Sequence, residues 1–236
     1  MLELFTFWRR GATASEIEAA LDMPQSSTSV LLRSLVEMGY LDYNRADRTY
    51  WPTLRVAILG DWMRDSVSDF LHAEHVDALR DRFGETVLIG RRLGANVNYL
   101  QIARSGQQLQ FYVQQFTRRP LCISASGRAL LSTLDDAQVL KIARRTIHYA
   151  TSDAEQINEA VLLSVVREIR QTGISETDER LGGESDLLAI ATLIPSGQGD
   201  EPFSLCIAGP KERVQRRREE IIAALRDWAQ GRFTAN

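Results

Sequence analysis

Two cysteines, two lysines and three histidines in 236 residues leave few groups for several kinds of chemistry. Cys122 and Cys206 cannot make a disulfide framework and read as buried free thiols. His72 and His75 stand three apart with Glu74 between them, a spacing that could hold a metal. No further ligand sequence supports them, and they read as neighbouring surface histidines; His148 is isolated. No phosphate loop, nucleophile elbow or Cys/His triad spacing occurs, so no cofactor and no enzyme chemistry are expected. No apolar run reaches membrane length, and no charged stretch leads into an apolar one with a cleavage site at the N-terminus. A cytoplasmic protein with no membrane partner is expected.

What is present is ordinary in amount and particular in placement. Apolar residues at 44% and charged residues at 25% are those of a globular chain, and the length makes two domains the default. The net charge of −3 argues against a generic polyanion binder. Within the first sixty residues six arginines face seven acids, so the balance there is −1. Nucleic-acid binding must therefore come from local placement of arginines and backbone donors. Lys141 and Lys211 are the only lysines, a skew that reads as compositional habit.

One stretch has the form such placement needs. Residues 23–38, MPQSSTSVLLRSLVEM, begin with a proline and small hydroxyl residues. Thr28, Leu31, Leu32 and Leu35 then fall at i, i+3, i+4 and i+7, the spacing of one buried helical stripe. Ser26, Ser27, Val30, Arg33 and Glu37 lie opposite, a small polar front that can enter a major groove.

The neighbouring residues supply a context. Leu2, Leu4, Phe5 and Trp8 predict a short helix ending near Gly11. Ser15-Glu16-Ile17-Glu18 starts a second, with acids in its first turn and Ile17, Ala20 and Leu21 inward. A turn through Asp22-Met23-Pro24 leads to the third helix, which Gly39 terminates. Extended segments over 40–43 and 49–52 follow, joined by Asn44-Arg45-Ala46-Asp47-Arg48. Helix, helix, turn, helix and a hairpin with arginines at its tip predict a winged helix-turn-helix over 1–53. A small helical adaptor with a hairpin is the alternative.

A helix from 54 to 65 carries Leu54, Ile58, Leu59, Trp62 and Met63 at helical spacing, and residues 54–68 read as an interdomain linker helix. Large apolar residues on a linker point to a second copy of the chain. Another helix, 70–83, closes at Gly84. Strands are predicted over 86–92, 96–103, 109–113, 187–194 and 203–208, and helices over 125–134, 136–145 and 154–171. A C-terminal helix is striped by Val214, Ile221, Leu225 and Trp228. Residues 69–236 thus predict an α+β domain, an antiparallel sheet flanked by helices. Tyr99 and Tyr112 read as core or sheet-face residues rather than ligand contacts.

Four segments resemble the IclR (isocitrate lyase regulator) family of bacterial transcription regulators, over nearly the whole chain. Residues 14–35 resemble its helix-turn-helix, with Pro24-Gln25-Ser26-Ser27 and Leu31-Leu32. Gly39-Tyr40-Leu41 resembles the entry to its wing. The run Pro120-Leu121-Cys122-Ile123-Ser124-Ala125-Ser126-Gly127-Arg128-Ala129-Leu130-Leu131 resembles its hallmark strand-to-helix segment. Ser204-Leu205-Cys206-Ile207-Ala208-Gly209-Pro210 resembles its last core strand. The resemblance implies a GAF-like effector-binding domain, and homodimers or homotetramers binding double-stranded operator DNA through the winged helices.

The chain departs from that family at useful places. Gln25, Ser29 and Val30 stand where relatives often carry Lys, His and Arg, and Arg48 replaces the wing's usual glycine. Base readout is expected from Gln25, Ser26, Ser27 and Ser29, with Val30 for a thymine methyl and Arg33, Arg45 and Arg48 for phosphate or minor groove. The family's ligand position maps onto Ala125, Ser126 and Gly127, the loop after Gly173, and the last strands. Backbone amides opening a helix there could take a carboxylate, or simply be capped by Ser124. Asp178 and Glu179 match the family's acidic pair, Gly183 its glycine, and Asp186 stands where cysteine is common. Cys206 and Ala208 replace two pocket serines. A small organic acid with an apolar or aromatic body is therefore the expected effector. The competing expectation is a GAF-like small-molecule sensor or enzyme whose N-terminal module mediates protein contacts.

Overall fold

The computed structural model describes residues 1–59, 73–149, 157–177, 186–195 and 201–232. The chain divides into two compact units, Met1–Ser66 and Val67–Asn236. Trp62, Met63, His72, Asp178, Glu179 and Gly183, singled out in the sequence, lie outside the described residues.

The N-terminal unit runs α1 (Leu4–Trp8), β1 (Ala12–Thr13), α2 (Ala14–Leu21), α3 (Gln25–Glu37), β2 (Leu41–Asn44), β3 (Thr49–Pro52) and α4 (Leu54–Ile58). A capping box starts α2: the Thr13 hydroxyl accepts from the Glu16 amide at 3.3 Å, and the Glu16 carboxylate accepts from the Thr13 amide at 2.8 Å. Asp22, at φ 50°, turns the chain toward α3. Phe5, Ala12, Ile17, Leu32 and Leu41 form the core. Ala20 is exposed rather than inward, because the α2 face that meets α3 is centred on Ile17. Gly39, at φ 75°, ends α3, and the next amide, of Tyr40, returns to Leu35 at 2.8 Å. β2 and β3 form the hairpin, and β1 pairs with β3 to make a third strand absent from the sequence reading.

The C-terminal unit contains α5 (Ala73–Phe83), β4 (Thr86–Leu93), β5 (Asn96–Ala103), β6 (Arg118–Pro120), α6 (Ala125–Leu131), α7 (Asp136–Tyr149) and α8 (Glu159–Thr172). It continues through β7 (Ser175–Glu176), β8 (Leu187–Ile194), β9 (Phe203–Pro210), α9 (Lys211–Arg216) and α10 (Arg218–Ala229). One antiparallel six-stranded sheet has the order β6-β5-β4-β9-β8-β7, and helices cover both faces. The fold is α+β.

Alternation along the central strands gives the two faces different volumes. Leu205 and Ile207 of β9, with Leu188, Ile190 and Ile194 of β8, point toward α5 and α10. Cys206 and Ala208, with Ala189 and Ala191, point toward α6 and α8. Large residues fill the first face, while small ones leave space under α6. Gly127 lets α6 pack this closely, since a Cβ there would stand 2.3 Å from the Leu121 carbonyl oxygen.

Three segments differ from the sequence reading. Residues 109–113 form no strand; their carbonyls are taken by side chains, Thr86 Oγ1 donating to Phe111 O at 3.0 Å and Arg213 Nη2 to Leu109 O at 2.8 Å. The strand beside β5 is β6 instead. The C-terminal helix breaks at Arg217, which donates to the Arg82 carbonyl and stacks on Phe83 at 4.7 Å.

Candidate functional site

On α3 the buried residues are Thr28 and Leu32, with Leu31 and Leu35 half-buried. The Thr28 hydroxyl donates to the Pro24 carbonyl at 3.2 Å, so this inward polar group is satisfied. Gln25, Ser26, Ser27, Ser29, Val30 and Arg33 are all exposed, and Val30 is 63% exposed. Ser26, Ser27, Val30, Leu31 and Ser34 line a shallow open depression. Pro24 caps the helix without offering a side-chain acceptor to its first amides.

Arg45 and Arg48 sit in the exposed four-residue loop between β2 and β3. Asn44 shapes that loop, accepting from the Ala46 amide at 2.9 Å and donating to Asp47 at 2.8 Å. Arg48 takes φ 53°, the left-handed conformation that the missing glycine would adopt freely. Among the described residues Arg33, Arg45 and Arg48 form no ion pair. Arg10, in contrast, is paired with Glu16 at 2.7 Å, and Arg55 donates to the Met38 carbonyl while facing the Tyr40 ring. Burial and the neighbouring Tyr43 push the Tyr50 hydroxyl up, while the charge of Arg33 pulls it down. Arg33 thus faces the wing near Tyr50 of β3. Sequence reasoning missed Tyr43 and Trp51, exposed aromatics on the two wing strands.

The space under α6 is a cavity of about 30 Å³. Of the residues expected to contact an effector, Ala125, Ser126, Cys206 and Ala208 line it. Gly127 does not: its amide donates to Ser124 Oγ at 3.1 Å, the helix cap foreseen as the alternative. Asp186 also lies elsewhere, exposed on the rim of an outer cleft of about 780 Å³. The remaining lining comes from Leu88, Tyr99, Phe111, Arg119, Ile123, Ser124, Thr177, Leu187 and Ala189. Tyr99 is buried and belongs to the core, yet its ring is also cavity wall; Tyr112 is exposed in the outer cleft.

Ser126 Oγ is buried in this wall, and no partner meets it at hydrogen-bonding geometry. It is nonetheless close enough to favour the ionised forms of Tyr99 and Cys206. Burial dominates for both, pushing each to about 12. Burial likewise holds Cys122 at about 11. Both are buried free thiols, as expected from the sequence, and stay protonated near pH 7. Among the described residues no cluster of His, Cys, Asp and Glu could hold a metal, and no helix is long and apolar enough to cross a membrane.

An outward polar helix beside a wing, followed by a helix-flanked sheet with a cavity, describes a recognisable pair of domains. Residues 1–45 match the IclR helix-turn-helix domain, and residues 71–231 match the C-terminal domain of the bacterial transcriptional regulator IclR. The chain belongs to the IclR family. It is 26% identical over 198 residues to the HTH-type transcriptional regulator TsaQ1/TsaQ2 of Comamonas testosteroni, covering 81% of this chain and 69% of that one. It is 24% identical to the HTH-type transcriptional regulator KdgR of Escherichia coli, covering 89% and 80%. Among solved structures, an IclR homolog complexed with 4-hydroxybenzoate from Microbacterium hydrocarbonoxydans superposes with TM-score 0.69 at 19% identity, covering 96% and 92%. Thermotoga maritima IclR gives TM-score 0.64 at 19% identity, covering 94% and 92%. This IclR-family chain is a ligand-responsive DNA-binding transcriptional regulator rather than an enzyme.

Proposed function

We propose that the protein acts in the cytoplasm on double-stranded operator DNA, as a homodimer or homotetramer, and is switched by a small organic acid with an apolar or aromatic body. We assign residues 1–53 to DNA binding, 54–68 to a linker helix and 69–236 to effector binding. The observation that carries the DNA assignment is the exposed front of α3. Gln25, Ser26, Ser27 and Ser29 offer amide and hydroxyl groups to base edges, Val30 a methyl contact for thymine, and Arg33 a phosphate contact. The wing arginines Arg45 and Arg48 supply charge without base readout. Leu54, Ile58 and Leu59, at 50% exposure or more, favour a second copy covering α4.

The effector assignment rests on a small cavity of mixed apolar and polar lining with an unpartnered buried hydroxyl at Ser126. Cys206 and Ala208 remove hydroxyl donors from its floor and so favour an apolar body. Asp178 and Glu179, which follow Thr177 in the sequence, are candidate contributors. The 4-hydroxybenzoate bound by the Microbacterium homolog has the expected chemistry.

A gel shift with the DNA upstream of the protein's own gene, at about 50 and 200 mM salt, tests the reading. A shift at low salt that 4-hydroxybenzoate or a similar acid alters is expected. Absence of any shift at low salt would favour the sensor or enzyme with a protein-contacting N-terminal module. Arg45→Ala and Arg48→Ala should each weaken binding on all sequences and reduce the salt slope by about 1. Altered base preference with an unchanged slope would overturn the wing's role.

A further inference from the structure

The cavity under α6 has a charged threshold that the family resemblance did not point to. Phe111, Arg119 and Leu187 line both the inner cavity and the outer cleft, so these three residues separate the two spaces. Arg119 lies on the edge strand β6 opposite Val97 of β5. Directly opposed residues of an antiparallel pair point to the same face. Val97 is buried in the α6-side core, so Arg119 points inward, whereas Arg118 is exposed and borders the outer cleft alone. The guanidinium stands 5.8 Å from the Phe111 ring centroid. Its charge reaches inside: it opposes burial at both Tyr99 and Cys206.

We propose that Arg119 recognises the effector's acid group at this threshold, with the effector entering apolar end first. The inference rests on the reading that an organic acid occupies this cavity. Three observations favour it over a carboxylate held by the start of α6. That helix has seven residues, and the Gly127 amide is already taken by Ser124. The inner end is apolar, formed by Leu88, Ala189, Cys206 and Ala208, with the Ser126 hydroxyl suited to a neutral polar substituent. An inner volume of about 30 Å³ has room for roughly two waters, so a ring-sized ligand must extend through the threshold. A guanidinium has five N–H donors, and a carboxylate can join the partners Arg119 already has.

The full-length protein would be titrated calorimetrically with 4-hydroxybenzoate and with its uncharged amide, 4-hydroxybenzamide. Wild type is expected to prefer the acid by about tenfold or more. Arg119→Leu should abolish that preference by weakening acid binding alone. Arg119→Lys should keep part of it, and Arg118→Leu should keep all of it. Thermal melts check folding, and Arg119→Gln replaces Arg119→Leu if the latter does not fold. A wild-type acid preference surviving in the Leu or Gln variant overturns the assignment to Arg119 and leaves the organic-acid reading standing. Binding of neither compound to wild type overturns the aromatic-acid reading and this assignment with it.

Discussion

On α3 the side chains proposed to read DNA are those the core leaves out: Thr28 and Leu32 point inward, and Gln25, Ser29, Val30 and Arg33 are exposed. In the C-terminal unit the space proposed for the effector lies inside the core, where β8 and β9 present alanine and cysteine to α6 and leucine and isoleucine to the opposite helices. A surface site can therefore change its chemistry with little effect on folding. A cavity site cannot, because each lining residue also belongs to the packing that holds the sheet together. Tyr99 makes the point, being at once core and wall.

The contrast breaks most sharply at neighbouring residues of α3. Leu32→Ala removes a fully buried side chain from a unit whose core, among the described residues, has five buried apolar residues. It should cost about 2–5 kcal/mol and abolish binding to every DNA sequence. Val30→Ala, two residues earlier, should change stability by less than about 0.5 kcal/mol and weaken binding only where Val30 meets a base. Urea denaturation and gel shifts on both variants check this. Equal losses of stability would mean that Val30 is covered by packing in solution.

The two sheet faces give the second, smaller contrast. Ile207→Ala opens a hole on the filled face and should destabilise by about 2–4 kcal/mol without removing a cavity residue. Ala208→Leu points into space that already exists and should cost about 1–2 kcal/mol, less than overpacking elsewhere. Its main effect should be loss of 4-hydroxybenzoate binding in calorimetry, with DNA binding retained. Retained ligand binding in Ala208→Leu would place the effector elsewhere.

The same contrast explains what the sequence made legible. The α3 stripe and its polar front, which carries the proposed DNA contacts Ser26, Ser27, Val30 and Arg33, follow from helical period alone. Strands β4, β5, β8 and β9 were legible because their apolar runs are long. The cavity was not: Leu88, Phe111, Arg119, Thr177 and Leu187 come from separate segments that only the folded sheet and the loops hydrogen-bonded to it unite. One signal was available, the alternation of small with large residues in Leu187–Ile194 and Phe203–Pro210, which marks a face with missing volume. The segment 109–113 misled because its composition suits a strand, while Thr86 and Arg213 take carbonyls a neighbouring strand would have needed.

The smallest expected effect concerns pH. In the cavity burial pushes Tyr99 and Cys206 to about 12, so neither of these two lining groups is a proton switch in the acid range. The N-terminal unit has one on its surface. Arg10 and the Thr13 amide and hydroxyl hold the Glu16 carboxylate at about 2, below its ordinary 4.5. A carboxylate depressed on folding stabilises the folded state at pH above its unfolded value, and that contribution fades as pH falls from about 4.5 toward 2. Glu16→Gln loses the charge but keeps an oxygen able to accept from the Thr13 amide. Wild type should therefore exceed Glu16→Gln in stability at neutral pH, by an amount that vanishes near pH 2. Urea denaturation at several pH values reads the difference. A gap that persists unchanged at low pH would show that Glu16 acts through packing rather than charge, and acid would no longer separate the surface-built unit from the core-built one.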